Sequence, residues 1–164
     1  MTNFILDKEK YKAALLYISG ALGQIDGMKK AYKLLYFLDF DFYEAYGRSF
    51  TGEVYKALVM GPAPIYFTGI MAELVSEGKI KIDKVRKSPT HEFATVTYKP
   101  IESCEYIFSK EEKKMLDRII RLYGNQTGKS LEILSHSEAP YNAVSLYQII
   151  PYEYSLYRDT PDLV

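Results

Sequence analysis

Apolar side chains recur at three- and four-residue intervals along residues 28–45, which predicts an amphipathic helix. Gly47 follows this pattern, and glycine is the residue that most often ends a helix. We therefore expect a helix from Met28 to Ala45 with one buried face. The positions on that face are Leu34, Leu35, Leu38 and Phe42.

Similar signals predict four more helices. Asp7 can cap the first of them, and Ser109 with Glu112 has the spacing of a capping box at the start of another. From Ala143 onward the chain is rich in tyrosine and interrupted by prolines, so we expect only short segments there. The predicted helices cover residues 7–22, 28–45, 65–77, 110–122 and a last one that begins at 127 or 130 and ends at 135.

The predicted strands are short. Residues 54–59 form an apolar run of the length of a buried strand, and Gly61-Pro62-Ala63-Pro64 should end it because Pro62 and Pro64 have no amide hydrogen. Polar and apolar residues then alternate in 79–85, and a second strand is predicted at 92–98, which together make an antiparallel hairpin. The sequence therefore predicts an α+β fold that is mainly helical, with a small antiparallel sheet and an element order similar to that of a winged helix.

Length and composition limit the class of protein. With 164 residues, of which 48% are hydrophobic, and no Pro/Ser/Gly-rich linker, the chain can bury one core as a single compact domain. It has no apolar run of roughly 18 residues, the length that crosses a bilayer, and no cationic start followed by an apolar signal region. We therefore expect a cytoplasmic protein without a membrane segment, and the single Cys104 fits a reducing compartment.

Seven short segments, taken in their order along the chain, carry a resemblance to a known family. They are KLLYFLD at 33–39, YGR at 46–48, TG at 51–52, YKA at 55–57, GPAP at 61–64, LSHSEAPY at 134–141 and IPY at 150–152. Their order and spacing resemble the Panacea domain, the SocA-like antitoxin family of bacteria and their phages.

The resemblance implies an antitoxin that neutralises a protein toxin encoded next to it, often a toxin directed at translation. It implies direct protein–protein binding without catalysis or a cofactor, or an adaptor role in which the toxin is handed to a protease. The matching motifs imply structural roles for Asp39, Gly47, Gly61, Pro62, Pro64 and His136.

A DNA-binding transcriptional regulator that uses the hairpin as a basic wing is the alternative function. Charge argues against it, since Lys+Arg and Asp+Glu both number 21. The would-be recognition helix at 65–77 contains Glu73 and Glu77 but no Lys or Arg. The basic hairpin could contact a nucleic-acid backbone, although a solvated strand face is the commoner reason for such a cluster. Its cations are Lys79, Lys81, Lys84, Arg86 and Lys87.

The segment GNQTGKS at 124–130 is similar to a phosphate-binding loop but has three rather than four residues between its glycines and follows a helix rather than a strand. We interpret it as a helix end followed by a Thr or Ser cap. His91, His136 and Cys104 have no metal-ligand spacing, and no nucleophile elbow is present. The sequence therefore predicts neither an enzyme nor a cofactor or metal site.

Asp39 and Arg48 are predicted to form a polar brace at the end of the helix at 28–45. Asp39, Asp41 and Glu44 lie along that helix near tyrosines, where a carboxylate is more often exposed or structural than catalytic.

Tyrosine and phenylalanine are abundant, with 16 and 8 residues, and tyrosine is enriched in protein-binding surfaces. For any one of them, filling the core of a protein without tryptophan is an equally good explanation. We expect interface residues near the strand–helix junction and in the C-terminal segment, and an isologous homodimer through that segment stays open. The predicted partner-binding residues are Arg48, Tyr55, Tyr66, Tyr147, Tyr152, Tyr154 and Tyr157.

Overall fold

A helix at Met28–Tyr46 lies at the centre of this computed structural model, which describes residues 4–85, 95–160 and 163. Every residue of this helix from Lys33 to Tyr43 is buried, so other elements must cover all of its faces. The helices are α1 (Lys8–Leu22), α2 (Met28–Tyr46), α3 (Phe67–Ser76), α4 (Lys110–Tyr123), α5 (Gly128–His136) and α6 (Ala139–Asn142), followed by a 3₁₀ helix at Tyr152–Tyr157. The strands are β1 (Ile25–Asp26), β2 (Tyr55–Leu58), β3 (Gly61–Pro64), β4 (Ile80–Val85) and β5 (Thr95–Pro100).

These elements confirm the predicted α+β class, mainly helical with small antiparallel sheets. All five predicted helices are present, with ends that differ by one or two residues. Within the described part of the chain, no helix combines the length and the apolarity that crossing a bilayer requires.

The helix ends use the predicted caps. The Asp7 side chain accepts a backbone hydrogen bond at the start of α1, and Ser109 and Glu112 form the reciprocal capping box of α4. Gly47 ends α2 in the left-handed conformation, and its N–H donates to the carbonyl of Tyr43.

The segment 124–130 connects two helices, as the cap interpretation predicts. Gly124 follows the last residue of α4, and the Thr127 side chain accepts a hydrogen bond from the Ser130 amide at the start of α5.

One sheet contains β1, β5 and β4 in that order, all antiparallel. Tyr98 of β5 lies opposite Ile25 on one side and Ile82 on the other. The predicted hairpin is confirmed for its described residues, whereas residues 92–94 of its second strand lie outside them. β1 was not predicted, because two residues are too few to show a period.

The second sheet corrects the interpretation of the GPAP segment. Gly61–Pro64 does not end the preceding strand but forms β3, antiparallel to β2. In such a pair every second residue directs its backbone groups away from the neighbouring strand. Pro62 and Pro64 occupy those positions, as the bond from the Ile65 amide to the Val54 carbonyl shows, so their missing amide hydrogens cost the ladder nothing.

Residues 147–150 lie along the other side of β2. The Tyr147 amide donates to the Ala57 carbonyl, the Ala57 amide donates to the Gln148 carbonyl, and the Ile150 amide donates to the Tyr55 carbonyl. β2 is therefore bonded on both sides, by β3 and by this C-terminal segment.

Aromatic rings fill much of the core around α2. Tyr36 and Phe40 contact the ring of Tyr55, and Phe40 also contacts Tyr152 of the 3₁₀ helix at a centroid distance of 4.7 Å. Such ring pairs add to the stabilisation that burial alone provides. A large share of the aromatic side chains is thus structural.

A buried ionic cluster fixes the C-terminal segment to α2. Arg158 donates to Asp41 and Glu44 at 2.7 and 2.8 Å, and to both oxygens of Glu138 at 3.0 and 3.1 Å. Asp41 has no exposed surface and also pairs with Arg118 of α4. One cluster therefore joins α2, α4, the residue before α6 and the end of the chain.

We expect Arg158→Ala to lower the free energy of unfolding by about 3 kcal/mol, because it removes the cation shared by the buried Asp41 and Glu138 carboxylates. Urea unfolding followed by circular dichroism measures this change. Arg121→Ala, which removes an exposed arginine from α4, is the control and should stay within about 0.5 kcal/mol of the parent protein. Equal losses in the two variants would contradict the assignment.

Candidate partner-binding surface

Asp39 is a fully buried carboxylate that fixes the loop after α2. Its Oδ1 accepts a hydrogen bond from the Thr51 amide at 2.6 Å, and its Oδ2 accepts from the hydroxyls of Thr51 and Tyr55 at 2.7 and 2.6 Å. Burial disfavours the charged form and raises the pKa of Asp39 to about 6, although these donors oppose the rise. The three bonds attach the start of β2 to the central helix.

The predicted brace between Asp39 and Arg48 is wrong. Arg48 is exposed, and its guanidinium carbon lies 5.0 Å from the ring centroid of Phe42 and 5.8 Å from that of Tyr46. Asp39 points into the core, where neutral donors satisfy it. A guanidinium that reached the same place would lose its hydration, which is costly in the interior.

Glu53 is a second buried carboxylate next to β2. It accepts hydrogen bonds from the Tyr11 hydroxyl at 2.6 Å and from the amides of Val54 and Tyr66, while the Tyr152 hydroxyl donates to its backbone carbonyl. Burial raises the pKa of Glu53 to about 7. Sequence analysis missed this residue, because an isolated glutamate between Gly52 and Val54 has no local pattern that indicates burial.

Lys33 holds β3 from the other side. Its side chain is buried, and its ammonium donates to the carbonyl of Pro62 at 2.9 Å. Desolvation lowers the pKa of Lys33 to about 8. Gly61 lies so close that an added Cβ would come within 2.9 Å of Lys33 and 2.8 Å of the Ser135 hydroxyl, and its φ of 101° also favours glycine.

These buried anchors hold a set of large apolar side chains at the surface. Val59 and Met60 form the turn between β2 and β3, and the Tyr141 hydroxyl donates to the Leu58 carbonyl beside that turn. Along the chain, residues 145–149 are all exposed, and the Tyr147 amide bonds to β2. We call the following set the hairpin surface: Val59, Met60, Leu146, Tyr147 and Ile149, with exposed fractions of 63, 58, 47, 65 and 57%.

Tyr147 has an unusual backbone. Among the described residues it is the one non-glycine residue with a positive φ, at 70°. This conformation costs an aromatic residue free energy, and such strain is concentrated at functional positions. The Tyr147 ring is exposed, so packing of the core does not explain why a strained tyrosine occupies this position.

A family model described as "Antitoxin SocA-like, Panacea domain" matches residues 32–141 of this chain. The chain belongs to the Panacea domain family. Its membership indicates an antitoxin role in general. Searches of curated proteins and of solved structures found no match.

In this Panacea domain protein the matched region contains Lys33, Asp39, Glu53 and the β2–β3 hairpin, but it ends before the C-terminal segment. Tyr147, Ile149 and Arg158 therefore lie outside the match, although Tyr147 and Arg158 bond to elements within it and Ile149 lies opposite Lys56. The hairpin surface combines side chains from both parts.

The predicted partner-binding residues divide into two groups. Tyr55 and Tyr152 are buried, with 1 and 6% exposure, so their assignment to a surface is wrong; their hydroxyls bond to Asp39 and to the Glu53 carbonyl instead. The accessible residues do not lie together. Tyr147 is on the hairpin surface, whereas Tyr154 and Tyr157 contact each other on the 3₁₀ helix. Arg48 lies over the ring of Phe42. Tyr66, which precedes α3, is 44% exposed.

Four members of the hairpin surface were not predicted. Val59 was predicted to end a buried strand and Met60 was assigned to no element, whereas Leu146 and Ile149 lie in a segment for which only short elements were expected. An aliphatic pair in a tight turn is the signal that could have identified the first two, because turns usually carry polar residues.

His136 has a structural place in this Panacea fold. It ends α5, and its ring stacks on Tyr141 at a centroid distance of 4.7 Å. Its Nε2 is buried without a hydrogen-bond partner among the described residues. Within those residues no group of three or more His, Cys, Asp or Glu side chains is arranged to hold a metal ion, and His91 lies outside them.

Glu73 of α3 and Glu77, which follows α3, form ion pairs with α1. Lys12 pairs with Glu73 and Glu77, and Lys8 also pairs with Glu73. On the hairpin, Lys81 pairs with Asp83 and Lys79 pairs with Glu77, whereas Arg86 and Lys87 lie outside the described residues.

Glu53→Gln is expected to change the pH dependence of stability. The folded-state pKa of about 7 lies above the ordinary value of 4.5, so the stability contributed by the neutral acid is complete below pH 4.5 and is lost as the pH rises through 7. Glutamine is neutral at every pH and can still accept the Val54 and Tyr66 amides. The unfolding free energy of the variant relative to the parent should therefore rise by up to about 3 kcal/mol between pH 4.5 and pH 8.

Urea unfolding at several pH values measures this difference, with Glu111→Gln on exposed α4 surface as the control. A difference between Glu53→Gln and the parent protein that does not vary with pH would show that Glu53 is ionised in the folded protein throughout this range.

Proposed function

We propose that this protein neutralises a protein toxin by binding it directly through the hairpin surface. The bound domain covers the active surface of the toxin, and the mechanism requires neither catalysis nor a cofactor. The observation that carries the proposal is the set of five exposed apolar side chains on rigid backbone next to the Panacea motifs.

The exposed apolar area of the hairpin surface supports the proposal that the partner is a protein. Five large apolar side chains, each with about half or more of its surface exposed, lie on the β2–β3 turn and on the segment bonded to β2, and exposed apolar surface of this kind marks interaction sites. Tyr147 has the features of a central contact residue, because a tyrosine ring offers a large rigid area at low entropic cost.

The scaffold beneath the patch is fixed before any partner arrives. Asp39 and Lys33 of α2 hold β2 and β3, and the Tyr147 amide bonds to β2 at 2.6 Å. A preformed surface loses little conformational entropy on binding, so more of the interaction energy appears as affinity.

The first experiment is a growth rescue. The neighbouring open reading frame is expressed from an inducible promoter with and without this protein, and the pair is then recovered by affinity purification. We expect toxicity that co-expression relieves and a stable complex. A toxic neighbour that is neither bound nor relieved would refute the proposal.

Tyr147→Gly tests the surface itself. Glycine accepts a φ of 70° without strain, so thermal stability should be equal or higher, while loss of the ring should raise the Kd for the toxin at least tenfold. Calorimetric titration measures the Kd, and a melting curve measures stability. Ile107→Gly, which removes a 92% exposed apolar side chain outside both the hairpin surface and the predicted partner-binding residues, is the control and should bind as the parent does.

Delivery to a protease is a second way in which the same contact can neutralise a toxin. The half-life of the toxin after translation is blocked separates the two routes. Occlusion leaves the half-life unchanged or longer when this protein is present, whereas an adaptor shortens it.

A further inference from the structure

The small sheet around β2 has one closed edge and one open edge. On the closed edge, β3 carries Pro62 and Pro64, which have no N–H to offer, and the outward carbonyl of Pro62 accepts the Lys33 ammonium. Proline and covered backbone are the common ways in which proteins protect a sheet edge from further pairing. β3 therefore cannot receive another strand.

The open edge is at Ile149. Its neighbours Gln148 and Ile150 bond to β2, and Ile149 itself lies opposite Lys56 in an antiparallel bridge. Because backbone groups alternate along a strand, the N–H and C=O of Ile149 point away from β2. Neither group has a hydrogen bond to a described residue, and the side chain is 57% exposed.

A cavity of about 690 Å³ runs beside this edge. Its apolar lining includes Phe4, Val54, Ile149 and Pro151. Lys56 also lines it, is exposed, and has no carboxylate within 4 Å among the described residues.

We propose that an extended segment of the toxin pairs with the backbone of Ile149 as an added strand, places an apolar side chain in this cavity and sets a carboxylate beside Lys56. The inference rests on the proposed function and states how the partner is recognised. Strand addition is a common mode of peptide recognition, in which main-chain bonds align the segment and side-chain pockets select it.

The added pairing is short. Pro151 has no N–H, and the Gln148 amide already donates to the carbonyl of Ser145. The edge therefore supplies one donor and one acceptor, both from Ile149, and the selection of the toxin depends on the cavity and on Lys56. A short edge also limits unwanted pairing between copies of this chain.

The test compares Ile149→Pro with Ile149→Ala. Both variants remove the large side chain, but the proline variant alone removes the N–H. The Kd for the purified toxin from the neighbouring open reading frame should therefore be at least fivefold higher for Ile149→Pro than for Ile149→Ala. Equal Kd values in two folded variants would overturn the inference.

Amide hydrogen exchange on the parent protein gives a second measurement that needs no variant. Binding of the toxin should slow exchange at the Ile149 amide at least tenfold, and unchanged exchange would overturn the inference. Exchange that slows with increasing concentration of this chain alone would also overturn it, because the edge would then be occupied by a second copy.

Lys56→Glu tests whether a carboxylate of the toxin lies beside Lys56. It should weaken toxin binding at least tenfold, whereas Lys81→Glu, on the hairpin β4–β5, should not. If the parent protein binds no toxin, the proposed function fails; if the parent binds but Ile149→Pro equals Ile149→Ala and exchange is unchanged, only the strand-addition inference fails.

Discussion

The fold depends on the need to satisfy three charged side chains buried on α2. Lys33, Asp39 and Asp41 lie within the stretch of that helix that has no solvent-facing side. An unpaired charge in the interior costs several kcal/mol, so each must meet a partner from another part of the chain. Lys33 takes the Pro62 carbonyl, Asp39 takes Thr51 and Tyr55, and Asp41 takes two arginines.

These partners determine where the remaining elements lie. The hairpin β2–β3 is held at one end by Asp39 and along β3 by Lys33, so its turn projects in a fixed direction. Apolar packing alone would tolerate sliding of a short hairpin over the helix, whereas directional bonds to buried groups do not. The exposed residues Val59 and Met60 follow from this arrangement, since the turn lies beyond the last anchored residue.

The parts of the structure that could be predicted are those with local signals. Helix periods, the capping box at Ser109 and the helix end at Gly47 are read from residues a few positions apart, and each is present. The GPAP segment was misread because the effect of a proline depends on the strand register, which a distant partner sets. Nothing local in the sequence distinguishes Tyr55 and Tyr152 from Tyr147. Tyr55 and Tyr152 are nevertheless buried, and their hydroxyls donate to Asp39 and to the carbonyl of Glu53, which is 99 residues from Tyr152. The Panacea motifs identified the family, yet they could not show which tyrosines remain at the surface.

The ionic cluster around Arg158 has a consequence for how the protein is made. Asp41 and Arg158 are 117 residues apart, so the ribosome releases the acidic partner long before it adds the basic one. Until then Asp41 lacks one of its two cations, and Glu138 and Glu44 lack the guanidinium that binds them. The segment at residues 147–150, which carries part of the hairpin surface, is likewise synthesised long after β2, to which it bonds. A chain that stops before residue 147 would lack both Arg158 and Ile149, so the stability of the core and the open sheet edge depend on the same stretch of sequence.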